Sequence, residues 1–382
     1  MTTRRLITLG LLLVSGLPSA GAAPISPATV AAIDALFAPF DRDGSPGYAL
    51  GVVRDGKLVL ARGYGRANLD YNLPITPRTS FHIASLSKQF TAAAVALLIL
   101  DGRLSLETPV DRYFPQVDHF RADLRLKHLI YFTSGLPEYT SLARSNNAPW
   151  FSYFYFTTDE AIATTLRAPA LEFEPGTRWE YSNVNYMMLA RIVEQASGKH
   201  FSEFLASRIF LPLGMRDTVL DDDPTLVIPN RATGYLDRSD ERARHDLEAI
   251  GFGIRGGLGY AQLERVSPHY GGSGIFSTIE DLALWNENFE SGRLAGAAFT
   301  RQMLERVRFA HDKDNDAFGL VFGSFEGREM IWFSGADLDA SSFMARLPSE
   351  HLAIICLSNM PHGDSEGKAK QVLALLLAPP AG

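Results

Sequence analysis

Phe81-His82-Ile83-Ala84-Ser85-Leu86-Ser87-Lys88, followed by Phe90-Thr91-Ala92-Ala93-Ala94-Val95-Ala96-Leu97-Leu98-Ile99-Leu100, is the stretch that decides how this chain is read. Ala and Leu dominate the apolar run, Asp101-Gly102 closes it, and its length suits a helix rather than a strand. The pattern predicts a buried helix that begins near Ser85. Side chains three apart share a helix face, so the Ser85 hydroxyl and the Lys88 amine can meet. A neutral hydroxyl needs an adjacent base to become a nucleophile. A lysine serves as that base where desolvation or a neighbouring cation lowers its pKa, and a greasy helix desolvates. The helix N-terminus adds backbone N–H groups and a positive dipole end for a developing oxyanion. Ser-x-x-Lys alone is a weak pattern. Ser365-Glu366-Gly367-Lys368 fits it as well, but no partner residues follow that copy.

Outward from this helix, Tyr48 to Arg54 and Lys57 to Tyr64 flank Asp55-Gly56, a two-residue hairpin signal. Ala28 to Phe40 has helical apolar spacing. Near the other end, Ala317 to Phe325, Met330 to Phe333, Ser342 to Arg346 and Leu352 to Leu357 read as strands, and Lys368 to Leu377 as a helix. The text between is helical and loop-rich. The expected fold is α+β: one antiparallel sheet built from both chain ends, flanked by helices, with a mainly helical region inserted. In boundaries, residues 23–110 and 275–382 form the sheet domain and residues 111–274 the insertion, with the cleft at their junction. Asp221 to Ala261, where charges, Pro and Gly mix, reads as a long surface excursion beside that cleft.

The 382 residues are 46% hydrophobic, which allows a sizeable core. Arg4-Arg5, the apolar run Leu6 to Leu17 and the small residues up to Ala22 have the three parts of a secretory signal, so residues 1–22 are expected to be removed and the mature protein to be periplasmic or secreted. No later stretch is long enough to span a membrane. Net charge is −7, and losing Arg4 and Arg5 takes it to about −9, which argues against nucleic acid and anionic membranes as partners. The single cysteine, Cys356, lies in a run that reads as a strand buried on both faces and is expected to be inert. Asp312 to Asp316 has acidic spacing like a calcium loop, but Ala317 stands where Gly is needed and Gly323 where a bidentate Glu is needed. The nine histidines show no metal-ligand spacing. No metal and no organic cofactor are expected.

Further along lies Pro175-Gly176-Thr177-Arg178-Trp179-Glu180-Tyr181-Ser182-Asn183, ahead of a helical pattern from Val184 to Ala196. A tyrosine near Lys88 could carry phenolate character, relay the Ser85 proton and hand it to the leaving group. The Asn183 amide could bond a substrate carbonyl and hold Lys88.

Ser85-x-x-Lys88, then Tyr181-x-Asn183, then a Gly-containing strand, resembles the serine hydrolases that include class C β-lactamases, D-alanyl-D-alanine carboxypeptidases and β-lactamase-like esterases. Thr133-Ser134-Gly135-Leu136-Pro137-Glu138-Tyr139, Phe173 to Thr177 and Gly271 to Thr278 extend the likeness over about residues 28 to 378. The resemblance implies Ser85, Lys88 and Tyr181 as catalytic residues and Asn183 as a substrate-binding one. It also implies a third motif, Lys or His, one residue, then Gly. Phe333-Ser334-Gly335-Ala336 stands in that place. Phe333 offers neither charge nor hydrogen bond, while the N–H groups of Ser85 and Ala336 can still form the oxyanion hole and Gly335 still lets the strand approach. Phe132, where such relatives often carry His, and His82, where Arg is common, read as structural.

These residues point to an acyl-enzyme hydrolase acting on small, uncharged esters or amides. The substrate is a small molecule or peptide. A β-lactamase or D,D-peptidase is the second reading, and a penicillin-binding-like module that does not turn over is the third. The aromatic segment Trp150 to Phe156 reads as packing in preference to a substrate wall.

Overall fold

A computed structural model describes residues 24–145, 155–239, 259–306 and 316–379, with Glu241 and Glu248 besides. The leader expected at residues 1–22, most of the aromatic segment (150–154), residues 312–315 of the acidic loop and much of the 221–261 excursion lie outside them.

The chain ends build one antiparallel sheet of seven strands. Its members are β1 (Tyr48–Arg54), β2 (Lys57–Tyr64), β3 (Asp316–Ala317), β4 (Leu320–Phe325), β5 (Arg328–Asp337), β6 (Ala340–Leu347) and β7 (Leu352–Ser358), in the order β3-β4-β5-β6-β7-β1-β2. The first hairpin closes at Asp55-Gly56 as expected, with Arg54 paired to Lys57. The last strand, β7, completes the sheet by pairing with both β6 and β1.

The sheet is covered on both faces. Helices α1 (Pro27–Phe37) and α5 (Ser365–Leu377) lie over one face, where Ile33, Phe37, Leu50, Ile354, Cys356 and Val372 share a core. The alternate residues Ala49, Val53, Ala353, Ile355 and Leu357 face the other way, onto the core that contains α2 (Ser87–Leu100) and α4 (Ile279–Ser291). That alternation explains why β7 reads as an unbroken apolar run, since both of its faces are buried. Cys356 is fully enclosed there, and burial pushes its thiol up to about 12, so it stays protonated.

Helix α2 is the axis of the larger core. Every residue from Ser87 to Leu98 is buried, and each large apolar side chain contributes about 1.5–3 kcal/mol by leaving water. It packs against α3 (Asn183–Ser197) from the middle of the chain. Among the described residues, no helix is long and apolar enough to cross a membrane.

Three details depart from the sequence reading. The helix expected near Ser85 opens instead with a single 3-10 turn, Ala84–Leu86, and becomes α-helical at Ser87. Ala84 has φ of 46°, a strained left-handed conformation that costs energy and turns the chain sharply into the serine. Second, the strand expected over Ala317 to Phe325 is broken at Phe318-Gly319. Gly319 has φ of 65° and lies so close to the Lys88 backbone that a Cβ there would be 2.8 Å from the Lys88 carbonyl oxygen. Third, β5 runs on past Phe333 through Ser334-Gly335-Ala336 to Asp337, because β6 supplies a partner for each residue. Weak local strand preference is overridden by pairing.

Candidate active site

The strand β5 loses its β4 neighbour after Trp332, which pairs with Val321. From Phe333 to Asp337 its free edge borders the Ser85 turn. A Cβ on Gly335 would meet the Ile83 carbonyl at 2.7 Å and the Ser85 backbone nitrogen at 2.8 Å. Both are backbone atoms, so only glycine permits this approach. Gly335→Ala is therefore expected to force strand and turn apart and to lower kcat/KM by about 100-fold, read as a rate loss well in excess of any shift in melting temperature. Ala336 follows Gly335 on this strand, which makes its N–H and that of Ser85 the candidate donors to an oxyanion.

Lys88 is fully buried beneath Ser85. Its Nζ lies 3.2 Å from Ser85 Oγ, 2.8 Å from Asn183 Oδ1 and 2.7 Å from the Gly272 carbonyl. Burial brings its pKa down to about 7, against the opposing pull of the Glu138 and Asp337 carboxylates. A neutral amine has two N–H bonds and one lone pair. Asn183 Oδ1 and the Gly272 carbonyl can only accept, so they take the two hydrogens, and the lone pair is left facing Ser85. That is the arrangement a general base requires.

The Tyr181 hydroxyl lies 2.8 Å from Ser85 Oγ and 3.3 Å from Asn183 Oδ1. The residue is 37% exposed, but its hydroxyl is turned inward to Ser85 and Asn183. Burial raises its pKa above the ordinary phenol value, Glu138 and Asp337 add to the rise, and the Ser85 hydrogen bond opposes it. The phenolate character allowed by the sequence reading is thus disfavoured, and Tyr181 stays a proton donor. Phe132, with φ of 56°, stacks on the Tyr181 ring at 5.0 Å and on Tyr186 at 5.0 Å, and so positions the phenol.

Asn183 is the first residue of α3, not part of the turn before it. Glu138 holds it there. The Glu138 carboxylate accepts from the Asn183 N–H at 2.8 Å, from the Ser182 hydroxyl at 2.9 Å and from Asn183 Nδ2 at 3.3 Å, capping the helix from outside its own segment. With Nδ2 turned to Glu138, Oδ1 must face Lys88. The sequence marked Glu138 only as part of the Thr133 to Tyr139 stretch and gave no sign that it reaches Asn183.

The third-motif residues Phe333, Ser334, Gly335 and Ala336 all border the same cleft of about 730 Å³ as Ser85, Tyr181 and Asn183. Phe333 is buried and opposite Met344 on β6. His82 is not an isolated structural histidine. Its Nδ1 lies 2.7 Å from Asp339 and its Nε2 2.9 Å from Ser273 Oγ, and Ser273 donates to Asp337 at 3.2 Å. The second Ser-x-x-Lys pair is used otherwise: Ser365 bonds Ser341 at 2.9 Å, while Lys368 donates to the Leu36 carbonyl at 3.1 Å. Of the aromatic segment, Phe156 is buried and stacks on His269 at 4.5 Å. Among the described residues, no group of three or more acids, histidines or cysteines could hold a metal ion.

A protein-family model described as Beta-lactamase matches residues 33–378. The chain is 28% identical over 351 residues to a D-aminopeptidase of Gluconobacter oxydans (strain 621H), covering 92% of this chain and 62% of that protein. It is 29% identical over 338 residues to a D-aminopeptidase of Brucella canis, covering 88% of this chain and 60% of the relative. The chain thus spans about three fifths of the length of these curated relatives. Among solved structures, the D-amino acid amidase from Ochrobactrum anthropi SV3 complexed with L-phenylalanine superposes with a TM-score of 0.75 at 25% identity, covering 91% of this chain and 96% of that one. The octameric penicillin-binding protein homologue from Pyrococcus abyssi shares the fold, with a TM-score of 0.73 at 23% identity over 92% of this chain and 77% of that one.

Proposed function

The chain belongs to the Beta-lactamase family, and from that membership we propose that it is a serine hydrolase cleaving small amides or esters through an acyl-enzyme on Ser85. The observation that carries this reading is the placement of Ser85 Oγ between a buried amine at 3.2 Å and a phenol at 2.8 Å. Ser85 gives its proton to Lys88 Nζ as its oxygen bonds to the substrate carbonyl carbon. The tetrahedral oxyanion rests on the N–H groups of Ser85 and Ala336. Collapse expels the amine or alcohol, which takes the Tyr181 proton, and the proton held by Lys88 restores the phenol. Water then repeats the sequence and releases the acid.

Amides are favoured as substrates by the relatives named D-aminopeptidase and the neighbour named D-amino acid amidase. Phe333 weighs against β-lactams and peptides with a free terminal carboxylate, because it replaces the cation that would receive that group. The test is intact-mass detection of adducts on Ser85 and turnover across p-nitroanilides of D- and L-amino acids, a short p-nitrophenyl ester and nitrocefin. Anilide and ester turnover above nitrocefin is the expected order. Efficient nitrocefin hydrolysis with inert anilides and esters would replace this reading by a β-lactamase.

A further inference from the structure

We propose that Asp337 anchors a protonated amino group on the acyl part of the substrate, so that the site selects α-amino acid amides and esters over acyl groups without an amine. The inference rests on the hydrolase reading of Ser85 and names the substrate class for that site.

Asp337 ends β5 and directly follows Ala336, whose N–H would hold the oxyanion. Consecutive Cα atoms are about 3.8 Å apart, and an α-amine is two bonds from the carbonyl carbon. A substrate carbonyl in the oxyanion gap therefore brings its α-amine within reach of this carboxylate.

The charge pattern of the cleft agrees. Asp337, Asp364 and Glu366 border it, and among the described residues lining it there is no Lys or Arg. Two of the three acids are already engaged. Asp364 caps α5 by accepting from the Gly367 N–H at 3.0 Å, and Glu366 pairs with Lys370 at 2.5 Å. Among the described residues, Asp337 accepts only from Ser273 Oγ at 3.2 Å and from the Leu338 N–H at 2.8 Å. The buried Arg265 nearby attracts Asp337 through its charge, but it donates to Asp221 and to the His269 carbonyl, and among the described residues no hydrogen bond joins it to Asp337. Lys88 points to Asn183, Gly272 and Ser85. A half-buried carboxylate beside the reacting centre that has no hydrogen-bonded cation among the described residues gains from a ligand that supplies one.

The carboxylate is also held in place. Asp339 can only accept, so His82 Nδ1 donates to it and Nε2 is left to accept the Gly274 N–H at 3.3 Å, while Ser273 Oγ lies within hydrogen-bond distance of both that nitrogen and Asp337. His82 and Asp339 are buried, so this arrangement is rigid. This revises the uncharged substrate expected from Phe333 alone. Loss of a cation at the third motif removes an attraction for carboxylates, and Asp337 adds a repulsion for them and an attraction for ammonium.

The test compares alanine p-nitroanilide, in both configurations, with propionic acid p-nitroanilide, which differs by the amine alone. In wild type, the better alanine substrate should exceed the propionyl one in kcat/KM by about 30-fold or more, the effect expected for a desolvated charge pair. Asp337→Asn should collapse that ratio to within a few-fold of unity. Both rates come from one preparation, so partial unfolding leaves the ratio intact. Ser273→Ala, a change in a positioning residue, should raise KM for the alanine substrate more than it lowers kcat. Equal wild-type rates with Ser85 still labelled by a fluorophosphonate overturn the amine subsite and leave the hydrolase standing, as does an unchanged ratio in Asp337→Asn. Absence of both labelling and turnover overturns the two together.

Discussion

Ser85→Ala is expected to abolish fluorophosphonate labelling and to lower turnover of every responsive substrate by roughly 10³-fold or more. The side chain is partly exposed at the floor of the cleft, so its hydroxyl contributes little to the core and the melting temperature should stay near the wild-type value. Residual activity would measure what the oxyanion gap and substrate binding achieve without a nucleophile. Labelling of the variant at the wild-type rate would remove Ser85 from the chemistry.

Lys88→Met is the second change with a large expected effect. Methionine fills much of the same volume and removes the base that, among the described residues, lies against Ser85 Oγ, so turnover should fall by about 10²–10⁴-fold. The variant leaves Asn183 Oδ1 and the Gly272 carbonyl without their Lys88 hydrogens, but it also removes an ionisable group from a dry site. The fold should therefore survive a loss of activity this large. Kinetics and a melting curve on one preparation check both halves. Near-wild-type turnover would transfer the base role away from Lys88, and the raised pKa of Tyr181 makes that phenol a poor substitute.

What the sequence revealed and what it concealed follow from how local each signal is. The Ser85/Lys88 pairing depends on a three-residue spacing, and it held although the first turn is 3-10 and not α. The Asp55-Gly56 hairpin and the buried β7 run are equally local. By contrast, β5 extends through Ser334-Gly335-Ala336, residues with little strand preference, because β6 pairs with them across the sheet. Glu138 reaches Asn183 across 45 positions, and His82 reaches Ser273 and Asp339 across 191 and 257. No periodicity or turn chemistry connects residues so far apart. Phe132 shows the same limit: nothing local in the sequence joins it to Tyr181, on whose ring it stacks.

The account depends on an amine that is neutral near pH 7 because it is buried. Lys88 acts as a base only when unprotonated, so its contribution is present above its folded pKa of about 7 and is lost as pH falls through it. The direct measurement is the rate of fluorophosphonate labelling of Ser85 from pH 5 to pH 10, with mass spectrometry confirming the site. The rate should climb about tenfold per pH unit below 7 and level off above it. A rate that is flat throughout, or that rises only near the ordinary lysine pKa of about 10.4, would contradict the account.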